Sequence, residues 1–201
     1  MLHAKRQDGL RAFNFMDIRQ VSMSFIQFED EQNIRYLLQN ATLLEKLYFS
    51  INSSLSLVGL HDILSPIART LKVLGLRVPI YGSAHLPLGG LCEGLEAMAG
   101  HYMLEALSIE FLVGFPDTED FRVIGYSIQK VERVLVKPEW SALRQVSFKV
   151  TGVLMGNRLF EALQSLPNKY LTLLSKLESV SFNYSVLDPA FVEYCDDSLF
   201  F

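Results

Sequence analysis

The sequence predicts an α/β protein: an irregular solenoid with a single parallel sheet of about six short strands and with helices on its convex side. An eight-residue pattern recurs six times along the 201 residues. Apolar residues at helical spacing lie between successive copies of this pattern. Half of the residues are hydrophobic and 20% are charged, which is typical of a globular chain.

The recurring pattern is apolar at positions one, four, six and eight, charged at position two and polar at position seven, as in LEKLYFSI at 44–51. Its copies start at residues 18, 44, 71, 104, 143 and 177, so the intervals run from 26 to 39 residues. Chance alone yields about one such match in a chain of this length. Recurrence at intervals of this size therefore predicts a repeat architecture.

Each copy of the pattern predicts one short strand, because positions four, six and eight alternate with positions five and seven. The first set of side chains is expected to share one core. The predicted core residues are Val21, Met23, Phe25, Leu47, Phe49, Ile51, Leu74, Leu76, Val78, Leu107, Ile109, Phe111, Val146, Phe148, Val150, Val180, Phe182 and Tyr184.

The segments between the copies carry apolar residues three and four positions apart, which predicts helices. Connections between parallel strands are right-handed, so repeated strand and helix units place all the helices on one side of the sheet. The helical positions are Ile34, Leu37, Leu38, Leu60, Ile63, Leu64, Ile67, Leu91, Leu95, Met98, Ile128, Val131, Leu135, Leu159, Phe160, Leu163 and Leu166.

The copies resemble the L-x-x-L-x-L core of leucine-rich-repeat proteins. Their long, irregular intervals are most similar to the divergent repeats of many fungal F-box-like proteins. The resemblance covers nearly the whole chain, with two departures. Asn52 alone supplies the asparagine that the family often has at position nine, where Pro79 and Thr151, for example, stand in other copies. Several repeats also exceed the usual 20 to 29 residues. An irregular solenoid without a regular asparagine ladder is therefore expected, with extra loops after the third and fourth strands.

The resemblance implies a non-catalytic scaffold that recognises another protein. It could be the substrate-recognition part of an F-box-type ubiquitin ligase subunit, which would join a cullin adaptor only if a longer parent chain carries the F-box. The alternative is a free-standing interaction scaffold with no link to ubiquitin. The resemblance does not identify the protein ligand.

The candidate protein-binding surface is the sheet face opposite the core. Positions five and seven are expected to form two columns of side chains across the strands, with small residues beside several charges. The candidate binding residues are Tyr48, Arg77, Ser108, Glu110, Ser147, Lys149, Ser181 and Asn183. A face that is merely solvated is the competing interpretation.

A small hydrolase using Cys92 is the less favoured alternative. Gly90-Leu91-Cys92-Glu93-Gly94 has the glycine spacing of a nucleophile elbow, but only His101 follows as a candidate base, nine residues on. The four histidines have no spacing that predicts a metal site. No enzymatic activity, cofactor or metal is therefore expected.

The net charge of −4 provides no basic surface for nucleic acid. No segment has the apolar length of a signal peptide or of the roughly 20 residues that cross a bilayer. We therefore expect neither a nucleic acid nor a membrane partner, and an intracellular location, cytoplasmic or nuclear.

Residues 1–201 are interpreted as a single leucine-rich-repeat domain, a fragment or one end of a longer array. The ends of a solenoid need polar caps, yet apolar Leu10, Phe13 and Phe15 precede the first strand and Leu199-Phe200-Phe201 close the sequence. We expect the isolated chain to self-associate through an exposed apolar edge. Analytical ultracentrifugation tests this: a clean monomer at tens of micromolar with a cooperative melt would contradict it.

Overall fold

Six strands and six α-helices occur in the parts of the chain that the computed structural model describes, which are residues 15–25, 30–51, 59–81, 88–114, 120–153 and 157–187. The strands are β1 (Gln20–Phe25), β2 (Lys46–Ile51), β3 (Val73–Tyr81), β4 (Ala106–Gly114), β5 (Gln145–Val153) and β6 (Ser181–Leu187). The helices are α1 (Asp30–Asn40), α2 (Leu60–Leu64), α3 (Leu88–Met98), α4 (Asp120–Leu135), α5 (Asn157–Gln164) and α6 (Leu166–Tyr170). One helix separates each pair of successive strands, except that α5 and α6 both precede β6.

The six strands form one parallel sheet whose spatial order is the chain order, β1 to β6. The predicted α/β class and the single parallel sheet of six strands are thus confirmed. The register also follows the repeat from β1 to β5, since Leu47, Leu74, Leu107 and Val146, all at position four, are paired in sequence. The strands β3, β4 and β5 extend to nine residues, beyond the eight-residue pattern.

A forked backbone hydrogen bond sets this register at the entrances of β2, β3, β4 and β5. The carbonyl oxygen of the charged residue at position two accepts from two consecutive N–H groups of the next repeat. The forks run from Glu45 and Lys46 to Arg19, from Lys72 and Val73 to Glu45, from Glu105 and Ala106 to Lys72, and from Arg144 and Gln145 to Glu105, with N···O distances of 2.8 to 3.0 Å.

The predicted register of β6 is wrong by two residues. The sequence pattern aligns Ser181 with Ser147 and Asn183 with Lys149, but the structure pairs Asn183 with Ser147 and Ser185 with Lys149. The backbone N–H of Ser181 donates to the Arg144 oxygen at 2.7 Å. In the other repeats the residue at position three makes this hydrogen bond, whereas Ser181 is at position five of its copy. A shift of two residues keeps every side chain on its face, so the apolar pattern cannot distinguish the two registers.

The core lies between the helices and the sheet face that carries positions four, six and eight. In β2 to β5 all twelve predicted core side chains are buried. In the outer strands, Val21, Met23, Phe182 and Tyr184 are only partly buried. The side chain of Phe25 lies outside the described residues, as do residues 82–87 after β3 and 115–119 after β4, where the sequence predicts extra loops.

The buried residues of the helices belong to the same core cluster, including Leu38, Leu64, Leu95 and Leu163. Consecutive helices contact one another, from α1 to α5, and α6 contacts both α4 and α5. The helices thus cover one face of the sheet. None of the helices in the described ranges is long and apolar enough to span a membrane.

A buried carboxylate on α4 forms hydrogen bonds with the segment that precedes β6. Glu132 is only 1% exposed, and its Oε1 accepts hydrogen bonds from the backbone N–H groups of Leu173 and Leu174 at 2.8 and 2.9 Å. Burial raises the pKa of Glu132 above its ordinary value, although the two backbone hydrogen bonds oppose this shift. These two N–H groups, at the start of a 3₁₀ turn, thus have a hydrogen-bond acceptor within the protein instead of water.

Phe148 is the centre of an aromatic row across β4, β5 and β6. Its ring meets the rings of Phe111 and Phe182 edge to face, with centroids 5.8 and 5.7 Å apart. Phe148 is fully buried, whereas Phe182 is only partly buried.

Replacing Phe148 with alanine removes both edge-to-face contacts and leaves a cavity in the core. We expect Phe148→Ala to lower the free energy of unfolding by roughly 3 to 5 kcal/mol in urea denaturation. Phe182→Ala, the matched control at the partly buried end of the row, should have a smaller effect. A loss below about 1 kcal/mol for Phe148→Ala would contradict a central position in the core.

Candidate protein-binding face

The second face of the sheet carries the side chains at the odd repeat positions; in the described residues most of these are exposed or half-exposed. We call it the open face. Its two central columns are Ser22, Tyr48, Gly75, Ser108, Ser147 and Asn183, and Ser24, Ser50, Arg77, Glu110, Lys149 and Ser185.

The structure brings together most of the candidate residues that the sequence singled out. Arg77, Glu110 and Lys149 are direct neighbours on β3, β4 and β5, and Ser108 lies beside Ser147 one pleat away. Because of the shifted register, Ser181 lies beside Gln145 and is displaced toward the start of the strands. The candidate set thus remains on one face, with its β6 members moved by one column toward the start of the strands.

Glu110 is the buried centre of a charged cluster on the open face. Glu110 is only 6% exposed, although it lies on the sheet face opposite the core. Arg77 Nε donates to Glu110 Oε2 at 2.9 Å, and Lys149 Nζ lies 3.1 Å from Oε1. Thr151 Oγ1 donates to the same Oε1 at 2.8 Å. Both carboxylate oxygens are therefore bound by donors from the neighbouring strands.

This cluster keeps Glu110 ionised. Burial alone would raise the pKa of Glu110, but the Thr151 hydrogen bond and the positive charges of Arg77 and Lys149 hold that pKa below its ordinary value. A buried charge is tolerated only where such partners replace water. The carboxylate consequently links β3, β4 and β5 on the face opposite the core.

Tyr48 lies across Gly75 on the neighbouring strand. A Cβ atom added at Gly75 would come within 2.5 Å of Tyr48 Cδ1, so only glycine accommodates the ring in this position. The tyrosine is half-buried as a result. The only aromatic residue among the candidates thus has a fixed place beside the column that contains Arg77 and Glu110.

The roles of two residues of this surface escaped the sequence interpretation, although it placed Gly75 on this face. Thr151 follows Lys149 by two residues and therefore shares its face, a signal that was available from the alternation of the strand. Gly75 occupies position five in the pattern, but only its neighbour in the adjacent strand reveals that it supports the Tyr48 ring.

The segment around Cys92 lacks the strand-turn-helix geometry of a nucleophile elbow. The whole of Gly90-Leu91-Cys92-Glu93-Gly94 lies inside α3, and Cys92 is half-buried. Burial, and next the negative charge of Glu96, raise the pKa of the Cys92 thiol, which disfavours the reactive thiolate. These features do not favour the hydrolase alternative.

The fold places His61 near His101 and Tyr102 at the turn after α3. The centroid of the His61 ring lies 6.0 Å from that of the His101 ring and 5.9 Å from that of the Tyr102 ring. The Tyr102 hydroxyl donates to the backbone carbonyl of His61 at 3.1 Å. No group of three or more His, Cys, Asp or Glu side chains in the described residues could hold a metal ion. The His61 ring thus lies against side chains of the following repeat.

The Glu110 cluster predicts a specific dependence of stability on pH. We expect Glu110→Gln to cost about 1 to 3 kcal/mol of unfolding free energy at pH 7, because charge-assisted hydrogen bonds are lost. Since the pKa of Glu110 is lower in the folded chain than its ordinary value of 4.5, the advantage of the wild type is fully present above that value. This stability advantage of the wild type should be lost as the pH falls through the lower pKa that Glu110 has in the folded chain.

Urea denaturation at several pH values between 7 and 3 measures this difference. Glu161→Gln, on an exposed part of α5, removes one carboxylate outside the cluster and serves as the matched control. A constant difference between wild type and Glu110→Gln across the whole range would contradict the described cluster.

The overall arrangement is an open, small-residue sheet face with one buried carboxylate between two cations. It presents Arg77 and the Tyr48 ring, which belong to residue types that are enriched in protein interfaces. No protein-family model, curated protein or solved structure is significantly similar to this chain.

Proposed function

We propose that this chain is an irregular leucine-rich-repeat solenoid that acts as a non-catalytic scaffold and binds another protein on its open face. The observation that carries the proposal is a six-stranded parallel sheet with helices against one face only, in the described residues. Parallel sheets are ordinarily covered on both faces, and their strands are then apolar throughout. Here the two central columns of the second face hold small, polar or charged side chains and one tyrosine, so this sequence is suited to leaving one face accessible.

The sequential order of the strands supports the solenoid part of the proposal. Each strand contacts its neighbours in the chain, and so does each helix. The forked hydrogen bonds recur once per repeat from β1 to β5. Stacking of similar units in chain order is the defining property of repeat proteins.

The composition of the open face supports the binding part. Ser108 and Ser147 form a shallow track, and Tyr48 and Arg77 belong to the residue types that dominate binding energy in protein interfaces. Because both side chains are small, the open face is shallow where these two strands adjoin.

The proposal has two versions, a substrate-recognition part of a ubiquitin ligase and a free-standing scaffold, which an experiment can distinguish. The resemblance to fungal F-box-like proteins implies substrate recognition for a ubiquitin ligase, which requires an F-box on a longer parent chain. Co-purification of that longer chain with a cullin adaptor distinguishes this form from a free-standing scaffold.

Peptide selection tests the binding function even while the natural ligand is unidentified. We expect peptides selected from a random display library on the folded chain to bind the wild type. Their affinity should fall about tenfold or more when Ser108→Gln and Ser147→Gln fill the track, as expected where contacts at the centre of an interface are lost. Calorimetric titration measures both affinities.

Thr172→Gln is the matched control, because Thr172 is exposed in the turn after α6. It should leave the affinity of the selected peptides unchanged. Selected peptides that bind the double variant as tightly as the wild type would contradict binding on the open face.

A further inference from the structure

The last strand of the sheet pairs on one side only, within the part of the chain that the structure describes. Strand β6 pairs with β5, and the N–H of Ser181 donates to the Arg144 oxygen at the entrance of β5. Backbone groups of successive strand residues point to opposite sides, so the N–H and C=O groups of Phe182, Tyr184 and Val186 point away from β5. These three donors and three acceptors form an edge to which a further strand can be added.

The core is also incomplete at this edge. The side chains of Phe182, Tyr184 and Val186 lie on the core side of β6 but are only partly buried. Their partners in the neighbouring strand β5 are all fully buried. A strand added beside β6 would remove the remaining apolar area from water, which favours association.

The edge at β6 exposes more apolar side chains than the opposite edge at β1. In the described residues, three partly buried hydrophobic side chains pack at the β1 end of the core, namely Ile18, Val21 and Met23. Six do so in the last repeat, on α5, before β6 and on β6: Leu159, Phe160, Leu177, Phe182, Tyr184 and Val186. The β6 end is therefore the more favourable surface for association.

Strand β6 has no charge that would oppose pairing. Edge strands of soluble proteins are commonly protected by charged side chains or by proline. The inner strands β2 to β5 each carry one charged residue, whereas β6, with the sequence SFNYSVL, has neither a charge nor a proline. The charges of this sheet thus lie on strands that are already paired, and the edge is left suited to a partner strand.

We propose that β6 pairs in antiparallel orientation with β6 of a second copy of this chain, about a two-fold axis beside Tyr184. The two six-stranded sheets then form one continuous sheet in a closed dimer. An axis at Tyr184, the middle residue of β6, is the choice that pairs the whole strand from Ser181 to Leu187.

The backbone of β6 is self-complementary in this arrangement. Tyr184 lies opposite Tyr184 of the second copy, and Phe182 lies opposite Val186 in both halves of the dimer. These three pairs are the ones whose N–H and C=O groups point outward, and each such pair exchanges two hydrogen bonds. All six outward donors of the two strands are thereby satisfied.

The side chains are compatible with the same register. The Tyr184 hydroxyl already donates to the Leu163 carbonyl at 2.8 Å, so covering its ring leaves no hydroxyl without an acceptor. On the open face, Asn183 lies opposite Ser185 of the second copy, and both side chains are small and uncharged. Aromatic and β-branched pairs on the core side stabilise such a contact, while no like charges meet across it.

The two-fold axis stands perpendicular to the sheet, so both open faces look in the same direction. A dimer of this kind presents two copies of the open face to one partner, which raises the avidity for a bivalent partner. The dimer goes beyond the proposed function and does not depend on it. A head-to-tail contact between β6 and β1 would instead leave a free edge at each end and continue into an open array.

Sedimentation equilibrium of the full chain tests the dimer. We expect a dimer at tens of micromolar, and Asn183→Lys should raise its dissociation constant about tenfold or more, because two like charges then meet near the axis. Ser22→Lys makes the same kind of change on the other edge strand, β1, and should alter the dissociation constant less than about twofold. Asn183 and Ser22 are both exposed, and thermal melts verify that both variants are folded.

Disulfide cross-linking tests the register in a background with Cys92→Ser and Cys195→Ser. Asn183 and Ser185 of the second copy form a pair with Cα atoms about 4.5 Å apart, within the range of a disulfide. Two copies of either residue are diagonal to each other, about 7 to 8 Å apart. A mixture of Asn183→Cys and Ser185→Cys chains should therefore cross-link at least about fivefold faster than either chain alone.

Three results would overturn the proposed dimer: a wild-type monomer at tens of micromolar, assemblies that grow beyond the dimer with concentration, and equal effects of Asn183→Lys and Ser22→Lys. Equal cross-linking in the mixed and unmixed samples would overturn the register. Peptide binding to the open face is measured separately, so each of these results leaves the proposed scaffold function intact.

Discussion

The alternation of side chains along parallel strands in a common register is the constraint on which this structure depends. Positions four, six and eight meet the helices, so the odd positions must face away from the core. The register then places equal positions of successive repeats side by side, from β1 to β5. Residues that are 26 to 39 positions apart in sequence become neighbours through this rule alone.

The Glu110 cluster is a direct consequence of that register. Arg77, Glu110 and Lys149 occupy position seven of three successive repeats, and they meet only because β3, β4 and β5 are aligned without a shift. A slip of two residues in either pairing would leave the buried carboxylate without one of its cations, which is costly. The cluster therefore favours the observed register over alternatives that the apolar pattern would accept equally well.

The repeat pattern was sufficient to predict the strands, the helices and the core of β2 to β5, because burial follows a simple period. It was insufficient for β6, where a shift by two residues preserves the apolar face and changes only the neighbours of Asn183 and Ser185. The role of Glu132 was also beyond the sequence, since its partners, Leu173 and Leu174, lie some 40 residues later in an irregular turn. Of the candidate site, the eight residues named from the sequence do share one face, while the part of Thr151, the bonds of Glu110 and the contact of Tyr48 with Gly75 required the geometry.

Solvent access to the two faces of one strand is the most direct test of the central claim, that the helices cover one face of the sheet and leave the other open. In a background with Cys92→Ser and Cys195→Ser, single cysteines at Ser147 and Val146 place a thiol on the open face and in the core, respectively. The rate of labelling by a small maleimide under native conditions should be at least about a hundredfold higher for Ser147→Cys than for Val146→Cys, because a buried thiol reacts only after local opening of several kcal/mol. Similar slow labelling at both positions would show that the face called open is covered, and it would contradict this account.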